Sequence, residues 1–583
     1  MRKSLLALDT DHMKGYIFQT DRLKEIRGAN LLLDRLIRVT MQEVAHEPSI
    51  GAELIYGNGG VGLFLVDDDK ASAFGKRVQR AFLDSSRGGL SIYYAVQPLP
   101  VDAPEDVETL MRYDLSKELE LLRYKLREEK GHPCTIINRP AHPFLRLCDA
   151  CGLEYAEKNR QSDQDDTRIA FYCASCQEKQ DEDGRVKERI ERAIKAIYEK
   201  RSGSEKYDPD STPLGDTVVS PLWDRIFLYL ERTNYKRLFD CNQQIAERPH
   251  DFHAFRDFTD AKEYLGLIYA DANSTGTKIE ALTNLAEIRD FANQIDQSIY
   301  KATCSAIEKH LPLSAPAKGH THKKLLFPFD ILLLGGDKVI MVTDARKAMD
   351  VALTIAQEFH AATENAHSLS VGVVLAPIKY PFNLLLDMVE STLTFAKRRS
   401  AEMRLQSPGT DDTTINFMTV GSGTLNSFDA IHKKLHRKMG KNIEFYATLR
   451  PYTPERLKHL LNAIRRGNEL NLGRNKLYQL REAVYKMNLT QSISDSLAIL
   501  RNWQEEQKTY IVAHVYQFGG LYQMPQNDAH DPLKGFPRVT FPWFADAGKK
   551  DEEESAVYRT SLLDFVELYD FVVSEGGETG GKN

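Results

Sequence analysis

The sequence predicts a mixed α/β (α+β) chain: two ferredoxin-like, palm-type domains, a zinc-ribbon insertion between them and a helical C-terminal domain. Three observations predict it. Residues 1–104 and 262–424 both read strand, helix, hairpin, helix, strand, an internal duplication. In each unit the hairpin is an apolar run broken by a glycine pair, "YGNGGVGLF" in the first and "ILLLGGDKVI" in the second. Between the units, four cysteines form two CxxC pairs. The expected divisions are 1–104, a helical linker region over 105–261 with a zinc ribbon at 145–180, 262–424, and 425–583.

In the first unit, "SLLALDTD" is an apolar strand ending in acids and "RGANLLLDRLIRVTMQEVAHE" has helical apolar spacing. "AELIYGNGGVGLFLVDD" is the hairpin, 71–84 a helix and "GLSIYYAVQPL" the closing strand. Charged helices follow at 105–130 and 181–200, then a linker, "RSGSEKYDPDSTPLGD". The second unit opens with "EYLGLIYADANSTG", a strand ending in an acid and a small-residue loop. A helix at 277–310, the hairpin, a helix at 344–363, the strand "SLSVGVVLAP" and the helix "PFNLLLDMVESTLTFAKRRS" complete it. Residues 425–515 read as mostly helical, and the tail "SEGGETGGKN" as disordered.

Composition narrows the class. The 583 residues carry 77 basic and 83 acidic side chains, a net charge of −6, which does not indicate a globally basic nucleic-acid binder. No apolar run reaches the ~18 residues of a membrane span. Asp9 and Asp11 interrupt the N-terminal apolar stretch, so no signal peptide is expected and a cytoplasmic chain with no membrane partner is. Seven cysteines, an odd count, favour metal over disulfides in a reducing compartment.

The chemistry concentrates in the second unit. Asp271 ends one strand and Asp337 sits at the hairpin tip, and neighbouring strands would bring the two carboxylates to one end of a sheet. That pair suits Mg2+ or Mn2+, hard ions held by one or two carboxylates plus substrate phosphates, as phosphoryl transfer uses them. Gly335 and Gly336 suit a tight tip whose backbone a nucleotide base or phosphate must approach closely. Asn273, Ser274, Gly276 and Lys278 offer small residues and N–H groups at a helix start, suited to a triphosphate. Asn273 is expected to shape the nucleotide pocket, Ser274 to contact a base and Lys397 to balance phosphate charge. Gly-Gly-Asp alone is also ordinary turn chemistry.

These motifs carry a resemblance. "IYADANSTG", "LLLGGDKV" and the helix ending "FAK" resemble the second palm of the large subunit of type III CRISPR effector complexes, a relative of GGDEF nucleotidyl cyclases. "KGYIFQTDRLKEIRGANLLLDRL" resembles the family's first palm, whose hairpin here has no acid at its tip and so reads as non-catalytic. The resemblance covers most of residues 1–515 and implies ATP bound between the palms and joined into cyclic oligoadenylates. It further implies other effector subunits and a guide RNA as partners, and catalytic and metal-binding roles for Asp271 and Asp337. Two departures stand out. Lys338 occupies the position where the family's hairpin has a second acid; it either pairs with Asp337 and competes with the cation, or contacts a phosphate. The family's frequent HD nuclease domain has no counterpart, since His250–Asp251 and His530–Asp531 lack companion ligands, and no nuclease is expected. The rivals to an oligonucleotide cyclase are a scaffold subunit degenerate at Lys338 and a stand-alone nucleotide cyclase. A Lys338 ammonium plugging the ion's seat would count against catalysis and leave only the assembly role.

Cys148–Cys151 and Cys173–Cys176 are separated by 21 residues, just past the usual zinc-ribbon window, and four thiolates close a tetrahedral structural Zn2+ site. A redox dithiol pair is the alternative. Cys134, Cys241 and Cys304 read as buried apolar residues, His320 and His322 as a solvent loop, and "AIHKKLHRKMGK" (430–441) as a solvated helix face. Trp543 is expected to pack a core or interface.

Overall fold

The computed structural model describes residues 2–131, 144–162, 165–202, 222–232, 247–258, 263–313, 326–407, 409–421, 428–439, 443–518, 541–546 and 556–572. Cys134, Cys241, His320, His322, His530–Asp531, most of the 201–216 linker and the Gly-rich tail lie outside them.

Two ferredoxin-like sheets organise the chain. The first has strand order β2-β3-β1-β4, all antiparallel, from β1 (Lys3–Thr10), β2 (Glu53–Asn58), β3 (Val61–Asp67) and β4 (Ile92–Pro98). A two-stranded ribbon, β5 (Lys158–Ser162) with β6 (Asp165–Tyr172), follows between the palms. The second sheet repeats the plan from β7 (Tyr264–Ala272), β8 (Phe329–Gly335), β9 (Lys338–Asp344) and β10 (Leu369–Pro377). A fifth strand, β11 (Thr414–Thr419), adds in parallel to β10, giving the order β11-β10-β7-β9-β8.

The second sheet is buried on both faces, which is why its strands read as nearly continuous apolar runs. Alternate residues of β7 face opposite ways. Ile268, Ala270 and Ala272 join one core. Leu265, Leu267 and Tyr269 join another, which also holds Ile26, Ala29 and Leu32 of the first unit's Leu23–Arg35 helix and Leu385, Val389 and Leu393 of the Phe382–Gln406 helix. The parity of β7 therefore puts Asp271 on the side of the first palm and of that last helix.

The 277–310 segment differs from a single helix. It breaks into Thr275–Glu280 and Leu285–His310, because Asn284 leaves helical geometry and its side chain caps the second piece at Glu287 N–H (2.9 Å). The C-terminal region is also not wholly helical. Beside the helices Pro454–Glu469, Arg474–Tyr485, Leu489–Leu500 and Glu505–Phe518, it holds a small sheet of order β12-β13-β15-β14. Its strands are β12 (His436–Met439), β13 (Ile443–Tyr446), β14 (Phe544–Asp546) and β15 (Ala556–Arg559), too short to show a two-residue period. The basic run at 430–441 accordingly becomes the end of the Phe428–Lys433 helix and β12 rather than one solvated helix face. Trp543 is buried against Phe445, and Cys304 is buried in the second palm. Among the described residues no helix is long and apolar enough to cross a membrane.

Candidate functional site

Backbone pairing brings the two acids together. Asp271 on β7 stands opposite Lys338 on β9, and the Ala272 N–H donates to the Asp337 carbonyl (2.9 Å). The Phe382–Gln406 helix lies close over β10 because Gly372 has no side chain: a Cβ there would be 2.7 Å from Leu393 N and 2.8 Å from Val389 O. That seating delivers Lys397, whose Nζ is 2.7 Å from Asp271 Oδ1. Lys338 Nζ lies 2.8 Å from Asp337 Oδ1 and 3.8 Å from Asp271 Oδ2. Thr275 Oγ1 donates to Asp337 Oδ2 at 2.5 Å. Asp271, Asp337, Lys338 and Lys397 thus form one cluster at the end of the sheet.

The two carboxyls are tuned in opposite directions. Burial pushes Asp271 above the usual carboxylate range, and the negative Asp337 adds to this; Lys338 and Lys397 only partly offset it. Burial acts on Asp337 too, yet Lys338, the Thr275 hydroxyl and Lys397 outweigh it and hold that carboxyl low. Desolvation of the Lys338 ammonium is outweighed in turn by Asp337 and Asp271, so its proton is held more tightly than usual.

The loop after β7 is arranged differently from a set of free ligand donors. The buried Asn273 amide donates to Ser368 Oγ (3.0 Å), and its oxygen accepts from Ser370 (2.7 Å), so it ties the loop to β10. Ser274, at positive φ (59°), accepts from Arg404, which also pairs with Asp412. Gly276 is open: nothing lies within 4 Å of a built Cβ. Lys278 Nζ is 2.7 Å from His367 Nδ1. Burial first, then Arg404, lowers the Lys278 pKa, and burial with Lys278 brings His367 down to about 4.

At the tip, Gly336 has φ of 62°, and a Cβ on it would be 2.9 Å from Gly59 Cα. The close approach expected there of a nucleotide is made instead by the backbone of the first palm's hairpin tip. Gly335 meets only Arg38 Nη2, at 3.6 Å from a built Cβ, an ordinary contact. Thr275, Arg404 and Arg38 escaped the sequence reading. Arg404 had a signal: it lies seven residues beyond Lys397, on the same face of one helix.

The two carboxylates fit a cation, because one cationic nitrogen already sits within ion-pair distance of both. The other ligand set is the four cysteines. The Sγ atoms of Cys148, Cys151, Cys173 and Cys176 all lie within 4.8 Å of one another, a cluster compatible with zinc. Crowding spreads their proton affinities: Cys148 is pulled low, first by its hydrogen bond with Cys151, and Cys176 is pushed high, first by Cys148. Among the described residues no other group of three or more such ligands is this compact.

Residues 264–404 match the family described as Cas10/Cmr2, second palm domain. No curated protein matches by sequence. Among solved structures, a chain of the crystal structure of the Csm1-Csm4 cassette in complex with pppApApA aligns at 13% identity and TM-score 0.50, over 87% of this chain and 65% of that one. A chain of the same cassette in complex with cA4 aligns at 13% identity and TM-score 0.47, over 88% and 64%. This chain spans less than two thirds of the length of either. Residues 264–404 are thus similar to the Cas10/Cmr2 second palm domain, set in a chain whose fold is similar to that of the Csm1-Csm4 cassette chain.

Proposed function

We propose that the second palm binds ATP and joins nucleotides into short or cyclic oligoadenylates, in CRISPR-type antiviral defence. The observation that carries this reading is the convergence of Asp271 and Asp337 around one cationic nitrogen, inside a domain similar to the Cas10/Cmr2 second palm. In the reaction a ribose hydroxyl of one nucleotide forms a bond to the α-phosphorus of the next. The bond to pyrophosphate breaks, and the hydroxyl proton is lost.

Asp271 and Asp337 are the residues that would hold Mg2+ or Mn2+, which when bound supplies charge for the attacking and leaving oxygens. Lys397 and Lys338 present ammonium groups to the triphosphate, and Thr275 orients Asp337. Arg404, through Ser274, sets the loop beside it. Gly336 lets the two tips meet, and Asn273 keeps the loop on the sheet. The four cysteines hold a structural zinc. The Csm1-Csm4 cassette solved with pppApApA supports an adenine nucleotide as substrate and a Csm4-type subunit as partner. A guide RNA is the further partner this reading carries.

A second reading, a scaffold subunit that makes no messenger, is favoured by one observation: Lys338 sits where the ion would. Labelled ATP with Mg2+ or Mn2+, with and without candidate partner subunits, separates the two by pyrophosphate release. Product is expected, lost in Asp337→Ala and retained in Lys338→Ala. No product under any partner condition supports the scaffold.

A further inference from the structure

We propose that Lys338 is a resident cation of the two-carboxylate site, so that a divalent ion enters only together with a triphosphate that draws the ammonium away. The triphosphate's identity rests on the function proposed above; the competition between ammonium and ion does not.

Every carboxylate oxygen of the pair already faces a donor. Asp271 Oδ1 faces Lys397 (2.7 Å) and its Oδ2 faces Lys338 (3.8 Å). Asp337 Oδ1 faces Lys338 (2.8 Å) and its Oδ2 faces the Thr275 hydroxyl (2.5 Å). Lys338 is the one of these donors within ion-pair distance of both acids, so an ion shared by the pair competes with it first.

Charge makes the same point. Two carboxylates and two ammonium groups balance, with Asp271 nearly buried. Adding an ion of charge +2 alone would leave an uncompensated positive charge beside the buried Asp271, which is costly. A triphosphate brings the negative charge that admits the ion and offers oxygens to the displaced ammonium. Lys338 is free to make that exchange, since its side chain is 35% exposed and its four-carbon stem is flexible. By contrast, Arg38, which braces the hairpin tip, is only 6% exposed and is held by two acids.

The test is Mn2+ binding to the full, zinc-loaded chain, followed by electron paramagnetic resonance, with and without the ATP analogue AMPPNP. The wild-type chain without nucleotide is expected to match an Asp271→Ala/Asp337→Ala control. Lys338→Ala and Lys338→Gln are expected to bind Mn2+ without nucleotide, tighter than wild type by about ten- to a thousandfold, the range over which one adjacent charge shifts an ionisable group. Lys338→Arg should behave as wild type, and AMPPNP should raise wild type to the level of Lys338→Ala. Equal Mn2+ affinity in nucleotide-free wild type and Lys338→Ala overturns the proposal. So does a Lys338→Ala chain that folds and binds no Mn2+. Because the readout is bound ion, a chain that makes no product can still meet the expectation. A chain that makes product can equally fail it.

Discussion

Gly336 and Gly335 are neighbours with different reasons to be glycine. Gly336 needs its left-handed backbone and has the Gly59 backbone against it; Gly335 has neither constraint. Gly336→Ala is therefore expected to destabilise the chain by about 1–3 kcal/mol, and Gly335→Ala by under ~1 kcal/mol. Urea denaturation of the two variants measures the difference, and equal costs would remove the tip-to-tip contact from the account. Gly28 in "EIRGA" shows the same logic in a helix. A Cβ there would be 1.7 Å from the Lys179 carbonyl oxygen, so the glycine lets the Leu23–Arg35 helix lie on the Ala174–Ser202 helix, which carries Cys176.

The element that braces the hairpin tip is the end of that first-palm helix, where one π-helical turn (Leu36–Thr40) carries Arg38. Arg38 donates to Asp34 (2.8 Å) and to Asp296 Oδ1 on the Leu285–His310 helix (2.7 Å). The same Asp296 oxygen accepts the Gly336 N–H (2.9 Å). A strap from the first palm thus ends on the backbone of the GGD tip. Burial alone would raise the Asp296 carboxyl, but Arg38, Arg225 and the Gly336 amide hold it below the usual range. A carboxyl depressed in the folded state stabilises above its unfolded value, about 4, and that contribution is lost as pH falls through the folded value. Asp296→Asn is expected to cost about 2–4 kcal/mol at neutral pH, since it strips a buried guanidinium of a partner. The gap from wild type should close as pH drops below about 4. Denaturation curves at the two pH values check it, and a gap that persists in acid would show the charge is not what holds the strap.

Across the whole molecule, the cysteine cluster is bolted to the first palm rather than hung beside it. From the helix that starts at Ala174, the buried Lys179 donates to the Tyr16 carbonyl (2.7 Å) and Gln180 to Glu25 (2.8 Å). Glu182 pairs with Arg35 (2.9 Å), and Asp183 with Arg27 (3.1 Å) and Arg248 (2.9 Å). Arg27 also reaches Asp330 on β8 (2.7 Å), so the first palm, the helix that starts at Ala174 and the second palm share one buried ion network. Loss of a metal held by the four cysteines should therefore loosen more than the ribbon. A strong chelator, or Cys176→Ser, is expected to release one zinc per chain and to lower stability by several kcal/mol, read as metal content and as the main thermal transition. An unchanged transition after complete removal would confine the zinc to a local role.

Much of the fold was written in short-range pattern. The two β-α-β-β-α-β units, the glycine-broken hairpins and the CxxC pairs depend on neighbours in sequence: apolar period, turn chemistry and ligand spacing. The palm-type strand order put Asp271 and Asp337 at one end of a sheet, and the fold brings them together, with Lys397, expected only to balance phosphate charge, against Asp271. Tertiary structure alone decided the rest. It turned the Asn273 amide onto the sheet, put Gly59 against Gly336, ran the Arg38–Asp296 strap between palms and assembled the small C-terminal sheet from distant short strands. It also laid the Lys338 ammonium between the acids. Each of these is a contact between groups far apart along the chain or a choice of side-chain direction. Packing and the balance of buried charge select such contacts, and no local period encodes them.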